Sequence, residues 1–456
     1  MAASAPLSAL HAAETERYRA SNPASAALAE RAAPHFLHGV PMHWMRDWPL
    51  PFPLAIRAAE GCTLHDADDH QLADFCLGDT GAMFGHSPPA ITDALIAQAG
   101  HGLTTMLPDM RSAAVGAALA ARFGLEAWQL TATASDANRH AIRWARALTR
   151  RPVLLVFDGC YHGSVEDTLV RMGADGRTLP RAGLVGQVAH PAPHTRVVPF
   201  NDVDALERAL APGDVAAVLT EPALTNIGMV PPQPGFHEAL RALTRRHGSL
   251  LILDETHTLS SGPGGATQAW GLEPDLLTLG KAVAGGFPCG VLGMRAPLAR
   301  RAEAWQPPPG GAGGHGHSGM GTTLSGNPVA IACLEAALAE LHTEATYARM
   351  FAAAGALHAG IEALLARHRR PWCVTRIGAR LEIQFRPTPP RTGAEAEQAF
   401  DDALQACIHL ALVNRGVVVT PFHHMLLASP ATGEADVARF LAALDAVLGL
   451  LEPVRR

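Results

Sequence analysis

The sequence predicts an α/β protein built around a mainly parallel sheet, and three observations carry that prediction. Short apolar runs, VLLVF (153–157), VAAVLT (215–220) and SLLILD (249–254), recur between amphipathic stretches, as strands buried on both faces require. The run SDANRHAIRWARALTR (135–150) places Ala137, Ile142, Ala145 and Leu148 on one side of a helix. The length, 456 residues, suits two or three domains, or one large α/β body with appendages.

Taken in order, residues 1–50 are helical and then irregular, with an aromatic and proline cluster HWMRDWPLPFP at 43–53. Residues 54–77 alternate in short strand-like pieces around the turn DADD (66–69). Strands and helices then alternate from about 88 to 300. QPPPGGAGGHGHSGMG (306–321) is a loop rich in proline and glycine, and a helix from about 327 to 342 leads onward. The expected organisation is an N-terminal segment (1–80), a large domain (81–326), and a linking helix with a smaller C-terminal domain (327–456).

Composition excludes several classes of function. The net charge of −6 is spread along the chain and gives no case for nucleic acid or an acidic membrane. No apolar run reaches the ~18 residues of a spanning helix. The first residues lack a basic start followed by an apolar block, so a secretory signal is not expected. Seven scattered cysteines without a CxxC pair suit a reduced, cytoplasmic protein. No metal is expected: His315 and His317 form a lone HxH in a glycine loop, and the pair His423 and His424 suits a site wall better.

One count stands out. Of 36 basic residues, 35 are arginine, and Lys281 is the single lysine. It is either a surface survivor of a drift towards arginine or a group doing what guanidinium cannot, losing a proton and attacking a carbonyl. Its neighbours decide. Lys281 follows the short apolar run of DLLTLGKAVAGGFPCG (275–290), before a glycine pair. Asp254 ends SLLILD and opens DETHT (254–258), so its carboxylate points into the crevice at the carboxyl end of a strand. TATASDAN (131–138) offers Ala134 and Ser135 as backbone and hydroxyl donors to a phosphate at a helix start. GCYHG (159–163) brings Tyr161 to another strand end, where a phenol face can stack on a ring.

In this order and spacing, these segments resemble the class III, fold-type I aminotransferases that use pyridoxal 5'-phosphate, in the branch similar to glutamate-1-semialdehyde 2,1-aminomutase. TASDAN resembles the family's SGSEAN, FDGCYHG (157–163) its FEGCYHG, EPALTNIGMVPP (221–232) its EPVxGNxGxxPP, and DETHT its DEVxT; TLSGNP (323–328) completes the series. The resemblance runs from about residue 37 to 450. It implies a mainly parallel seven-stranded sheet flanked by helices, plus a smaller α+β domain from both termini. Lys281 is implied as the Schiff-base lysine and Asp254 as the partner of the pyridine nitrogen. Tyr161 is implied on one ring face and Thr256 on the other, where the family has valine. His257 is implied at the phenolic oxygen, Ala134 and Ser135 at the phosphate, and Glu221 in the surrounding network. Thr323 is implied to reach the neighbouring subunit's phosphate, which makes the expected assembly a homodimer with shared active sites.

The activity implied first is that of an aminotransferase, moving an amino group from an amino acid or amine to a keto acid by a ping-pong aldimine and ketimine route. The alternative is an aminomutase or racemase on the same cofactor. A third possibility, a non-catalytic protein that keeps the fold, is weakened by the presence of Lys281, Asp254 and Tyr161 together. Transfer is placed first because a glutamate in the aminomutase segment SQFEAGFMS aligns with His424 in PFHHMLLAS (421–429). Trp44 and Arg46 fall where the family grips a substrate carboxylate, and a guanidinium suits that task. A solvated arginine between packing tryptophans is the competing reading.

Overall fold

The computed structural model describes residues 5–306 and 318–451. The apolar runs pair into one seven-stranded sheet: β1 (Ala127–Thr131), β2 (Val153–Phe157), β3 (Thr195–Val198), β4 (Val215–Thr220), β5 (Leu250–Asp254), β6 (Leu276–Leu279) and β7 (Gly290–Met294). Their spatial order is β1-β7-β6-β5-β4-β2-β3. β3, β2, β4, β5 and β6 are parallel, while β7 runs antiparallel to β6 and β1. Six strands therefore point the same way, and their carboxyl ends share one edge. Every residue of β2, β4 and β6 is buried, because helices cover both sheet faces.

The helix expected at 135–150 is α1 (Ala134–Thr149), with Ala137, Ala141, Ile142 and Ala145 buried. Its cap is Thr133 rather than Ser135: the Thr133 hydroxyl accepts the Asp136 N–H at 3.1 Å. α2 (Phe236–His247) packs beside β5, and α3 (Pro328–Ala336) starts at a proline behind the capping side chain of Asn327.

The chain divides into two compact units. The larger comprises Pro89–Glu344 and Pro390–Ala396; the smaller comprises Met1–Pro88, Ala345–Pro389 and Glu397–Arg456. Against the breaks expected after residues 80 and 326, the crossovers fall after Pro88 and Glu344. α3 lies in the larger unit because it packs on the helices Pro89–Ala99 and Ser112–Phe123. The excursion at 390–396 has a local cause, since the Asn201 amide donates to the Arg391 carbonyl at 2.8 Å.

The smaller unit holds strands Ile56–Glu60, Thr63–Asp66 and Gln71–Asp74 with Val417–Val418, and a second sheet of Cys373–Ile377, Arg380–Gln384 and Met425–Leu427. Its core gathers Phe75, Leu357, Ile361, Leu381, Leu426 and Phe440. Among the described residues, no helix is long and apolar enough to cross a membrane, and all seven cysteines are free thiols.

Candidate active site

Five strands of the larger unit deliver side chains to one edge of the sheet. β1 leads to Ala134 and Ser135, β2 to Tyr161 and His162, β4 to Glu221, β5 to Asp254, Thr256 and His257, and β6 to Lys281. This is where ligands bind in open α/β sheets.

Lys281 begins a single helical turn after β6, and its φ of +47° lies in the left-handed region that non-glycine residues rarely occupy. Its Nζ sits 2.9 Å from His257 Nε2. The lysine is thus half-buried and engaged, not the exposed survivor that composition alone allowed.

Asp254 is buried, and four hydrogen bonds converge on it. Oδ1 accepts the Thr256 backbone N–H at 3.0 Å and the Thr256 hydroxyl at 2.6 Å. Oδ2 accepts the Asn138 amide at 2.8 Å and His162 Nδ1 at 2.9 Å. Burial works to raise its pKa, but His162, Thr256 and Asn138 prevail and hold it at about 2. Asp254 is therefore a permanent carboxylate. His162 is the reciprocal case: burial opposes its charge, yet the neighbouring Cys160 and the Asp254 carboxylate raise its pKa.

The network extends one step further. Asn138 also donates to the His162 carbonyl at 3.1 Å and accepts the Thr278 hydroxyl at 2.6 Å. Asn138, His162 and Thr278 were not among the residues singled out from the sequence. Two signals were available: Asn138 is an amide inside the apolar stripe of α1, and His162 adjoins Tyr161.

The turn between β1 and α1 is nested against backbone. A Cβ at Gly280 would lie 2.6 Å from Ala134 Cβ, so the segment entering Lys281 approaches this turn as only glycine permits. Gly163, at φ +82°, brings its chain onto Ser135, whose hydroxyl accepts the Ser164 N–H at 3.1 Å. Ala134 and Ser135 are first-turn residues, and their N–H groups have no intrahelical acceptor. Tyr161 is half-buried, with the Arg181 guanidinium 5.7 Å from its ring centroid, a cover that sequence reasoning missed. Glu221 bonds the Thr225 hydroxyl and the Asn226 amide, and burial pushes its pKa up to about 7.

Thr323 is exposed in the turn before α3. His315 and His317 lie outside the described residues. The three substrate-side residues belong to the smaller unit. Arg46 is exposed and bonds Asp47 at 3.0 Å and His38 at 3.1 Å. The tryptophans on either side of it pack on aromatic rings, Trp44 on Phe422 in a T-shaped contact. Trp48 packs on His409. His424 is buried, with Nε2 3.2 Å from the Gln405 carbonyl, and burial lowers its pKa to about 3. His423 faces Glu382 at 3.2 Å.

A model of the class-III aminotransferase family matches residues 45–447. The glutamate-1-semialdehyde 2,1-aminomutase of Sorangium cellulosum (strain So ce56) is 35% identical over 92% of this chain and 95% of its own. Among solved structures, a variant glutamate-1-semialdehyde-aminomutase from Pseudomonas aeruginosa PAO1, in complex with PMP, is 48% identical with a TM-score of 0.95. That likeness covers 98% of this chain and 99% of the other. An omega-transaminase from Sphaerobacter thermophilus is 31% identical with a TM-score of 0.84, covering 95% and 98%.

Proposed function

The chain belongs to the class-III aminotransferase family, and from that premise we propose that it is an isomerase, an aminomutase acting on an amino aldehyde of the glutamate-1-semialdehyde type. Its fold is that of the fold-type I enzymes, and its cofactor is pyridoxal phosphate. This reverses the order expected from the sequence, where transfer stood first. That order rested on position 424, and His424 is a neutral imidazole bonded to a carbonyl within the smaller unit. The likeness to aminomutases along nearly the whole chain is the observation that carries the proposal.

The residues present fit the cofactor. The β1–α1 turn is a cradle closed by Gly280 and Gly163 that a Cβ would fill, with helix-start N–H groups suited to a phosphate. Asp254 is an ionised acceptor suited to a protonated ring nitrogen. Lys281 follows both features in sequence and shares their sheet edge.

Pyridoxal phosphate, when bound, supplies an aldehyde that captures amines and a protonated ring that takes up the electron pair left when a carbon loses its proton. The protein's part follows from its geometry. Ala134 and Ser135 hold the phosphate. Asp254 keeps the proton on the ring nitrogen, and Asn138, His162 and Thr256 keep Asp254 ionised. Tyr161 would cover one ring face and Thr256 the other, while Glu221 would support the surrounding network. Lys281 is the amine that would hold the cofactor covalently. Once displaced, its amine takes the proton from the carbon bearing nitrogen and returns one to the neighbouring carbon. Thr323 completes the phosphate site of a second copy in a homodimer. Arg46 and Trp44 are left as candidate substrate contacts, and His424 as a wall residue of its own unit.

The test is incubation with 4-amino-5-oxopentanoate and no acceptor. Isomerisation yields 5-amino-4-oxopentanoate over many turnovers. Stoichiometric release of the deaminated carbonyl product without the isomer, with turnover restored by an added keto acid, would establish transfer instead. That second reading draws support from the likeness to the transaminase.

A further inference from the structure

We propose that Lys281 and His257 form a proton-sharing pair, in which His257 Nε2 takes the proton that the Lys281 ammonium must shed before the amine can attack. The inference rests on the reading of Lys281 as the covalent residue and adds a role that the family resemblance does not assign. That resemblance sends His257 to a ring oxygen, whereas here its Nε2 lies 2.9 Å from Lys281 Nζ. At that separation a proton leaving one nitrogen meets the other as its nearest acceptor, and two cations there would repel strongly.

Both members are held in place. The His257 carbonyl accepts the Ser260 N–H at 3.2 Å and the Ser260 hydroxyl at 2.9 Å, which fixes the turn that carries the ring. His257 is buried beside Asp254 and Thr256 at the end of β5. Lys281 is pinned by the strained start of its turn, where the Val283 N–H reaches the Gly280 carbonyl at 3.0 Å. Surrounding ionisable groups have partners of their own. Asp254 holds His162, Glu221 holds Thr225, Glu255 holds Thr258 and the amides of Ala266 and Thr267, and His342 meets the Val283 carbonyl.

The step balances without a co-reactant. One N–H bond at Lys281 Nζ breaks as one forms at His257 Nε2, and the pair keeps its net charge. The freed amine then bonds the aldehyde carbon, and the proton on His257 passes to the oxygen that leaves as water.

The experiment follows covalent capture of added pyridoxal phosphate by the full-length chain after its cofactor has been removed. Capture is read from the growth of the visible band, and from the mass of the borohydride-reduced peptide carrying the single lysine. Affinity for pyridoxamine phosphate, which forms no such bond, monitors an intact fold. His257→Gln keeps an acceptor but cannot take a proton, so the covalent step, measured at saturating cofactor, should slow by about 100-fold, well beyond any change in pyridoxamine phosphate affinity. His257→Ala should slow similarly and recover on addition of imidazole. Capture at the wild-type rate in His257→Gln overturns the proposal. So does slow capture in His257→Ala that imidazole does not restore. If His257→Gln does not fold, imidazole rescue of His257→Ala decides alone. Absence of capture in the wild-type chain would remove the covalent role of Lys281 and this inference with it, whereas failure to isomerise the amino aldehyde leaves the pair intact.

Discussion

Replacing Asn138 by alanine and, separately, by aspartate tests whether Asp254 is held ionised by its buried neighbours. Asn138→Ala removes a donor to Asp254 Oδ2, a donor to the His162 carbonyl and the acceptor of the Thr278 hydroxyl, at a position with no exposure. With about 1–3 kcal/mol for each of the three buried groups deprived of a partner, the loss of stability comes to about 3–9 kcal/mol. Asn138→Asp keeps the size and the acceptor for Thr278 but sets a second carboxylate 2.8 Å from Asp254 Oδ2. Two charges at that distance repel by about 6 kcal/mol at an effective dielectric of roughly 20. Protonating an ordinary aspartate at pH 7 costs about 4 kcal/mol, so the new side chain takes a proton instead. Its folded pKa is raised, so stability is present at low pH and lost as pH rises. The deficit is about 4 kcal/mol at pH 7 and shrinks by about 1.4 kcal/mol per unit towards pH 4. Asp254, with its pKa at about 2, stays ionised throughout, so the Asn138→Ala deficit is flat from pH 5 to 7. Melting temperatures of both variants against wild type at pH 5, 6 and 7 decide. An Asn138→Asp deficit equal at pH 5 and pH 7 refutes the reasoning.

Three more outcomes are expected. Lys281→Arg keeps the positive charge yet abolishes the covalent link and turnover, checked by the absence of any mass gain after borohydride reduction in the presence of cofactor. Glu221 has a folded pKa of about 7 against an ordinary 4.5, so its contribution to stability is full below pH 4.5 and is lost, by about 3 kcal/mol, as pH climbs to 7. Glu221→Gln should flatten the wild-type dependence of melting temperature on pH over that window. Gly163→Ala places a Cβ against Ser135 at a φ of +82°, and cofactor affinity should fall at least tenfold, measured by absorbance titration.

What the sequence disclosed follows from the range of the forces involved. β2, β4 and β5 were legible because a strand buried on both faces must be apolar throughout, which is a local property. α1 was legible because its buried stripe repeats at helical spacing. Lys281 stood out by composition, and Asp254 by ending an apolar run. The network behind Asp254 was not legible as a network: its bonds to Asn138 and His162 span 116 and 92 residues, and neither side chain needs a local pattern to make them. The return of 390–396 to the larger unit was hidden for the same reason, since one amide bond from Asn201 leaves no periodicity. His257 was found, but its contact with Lys281 was not. Its position was visible in DETHT, whereas its partner across the sheet edge was not.

The composition that isolates Lys281 also accounts for the arginines. Arg241 grips Asp275 with two nitrogens at 2.7 and 2.9 Å, and Arg196 grips Asp214 at 3.0 Å through each of two nitrogens. Such forked contacts suit a guanidinium better than an ammonium, so arginine is the better residue at these sites. At position 281 the requirement inverts. A guanidinium beside His257 stays protonated at every working pH and cannot hand a proton to that imidazole, nor form the covalent link that an amine forms. What position 281 requires is therefore a removable proton, not charge alone. With a single ε-amine in the chain, a covalent mark on lysine can come from no other residue. A reduced cofactor adduct on the peptide carrying position 281 assigns the nucleophile without any variant, and its absence from wild-type protein that binds the cofactor would exclude it.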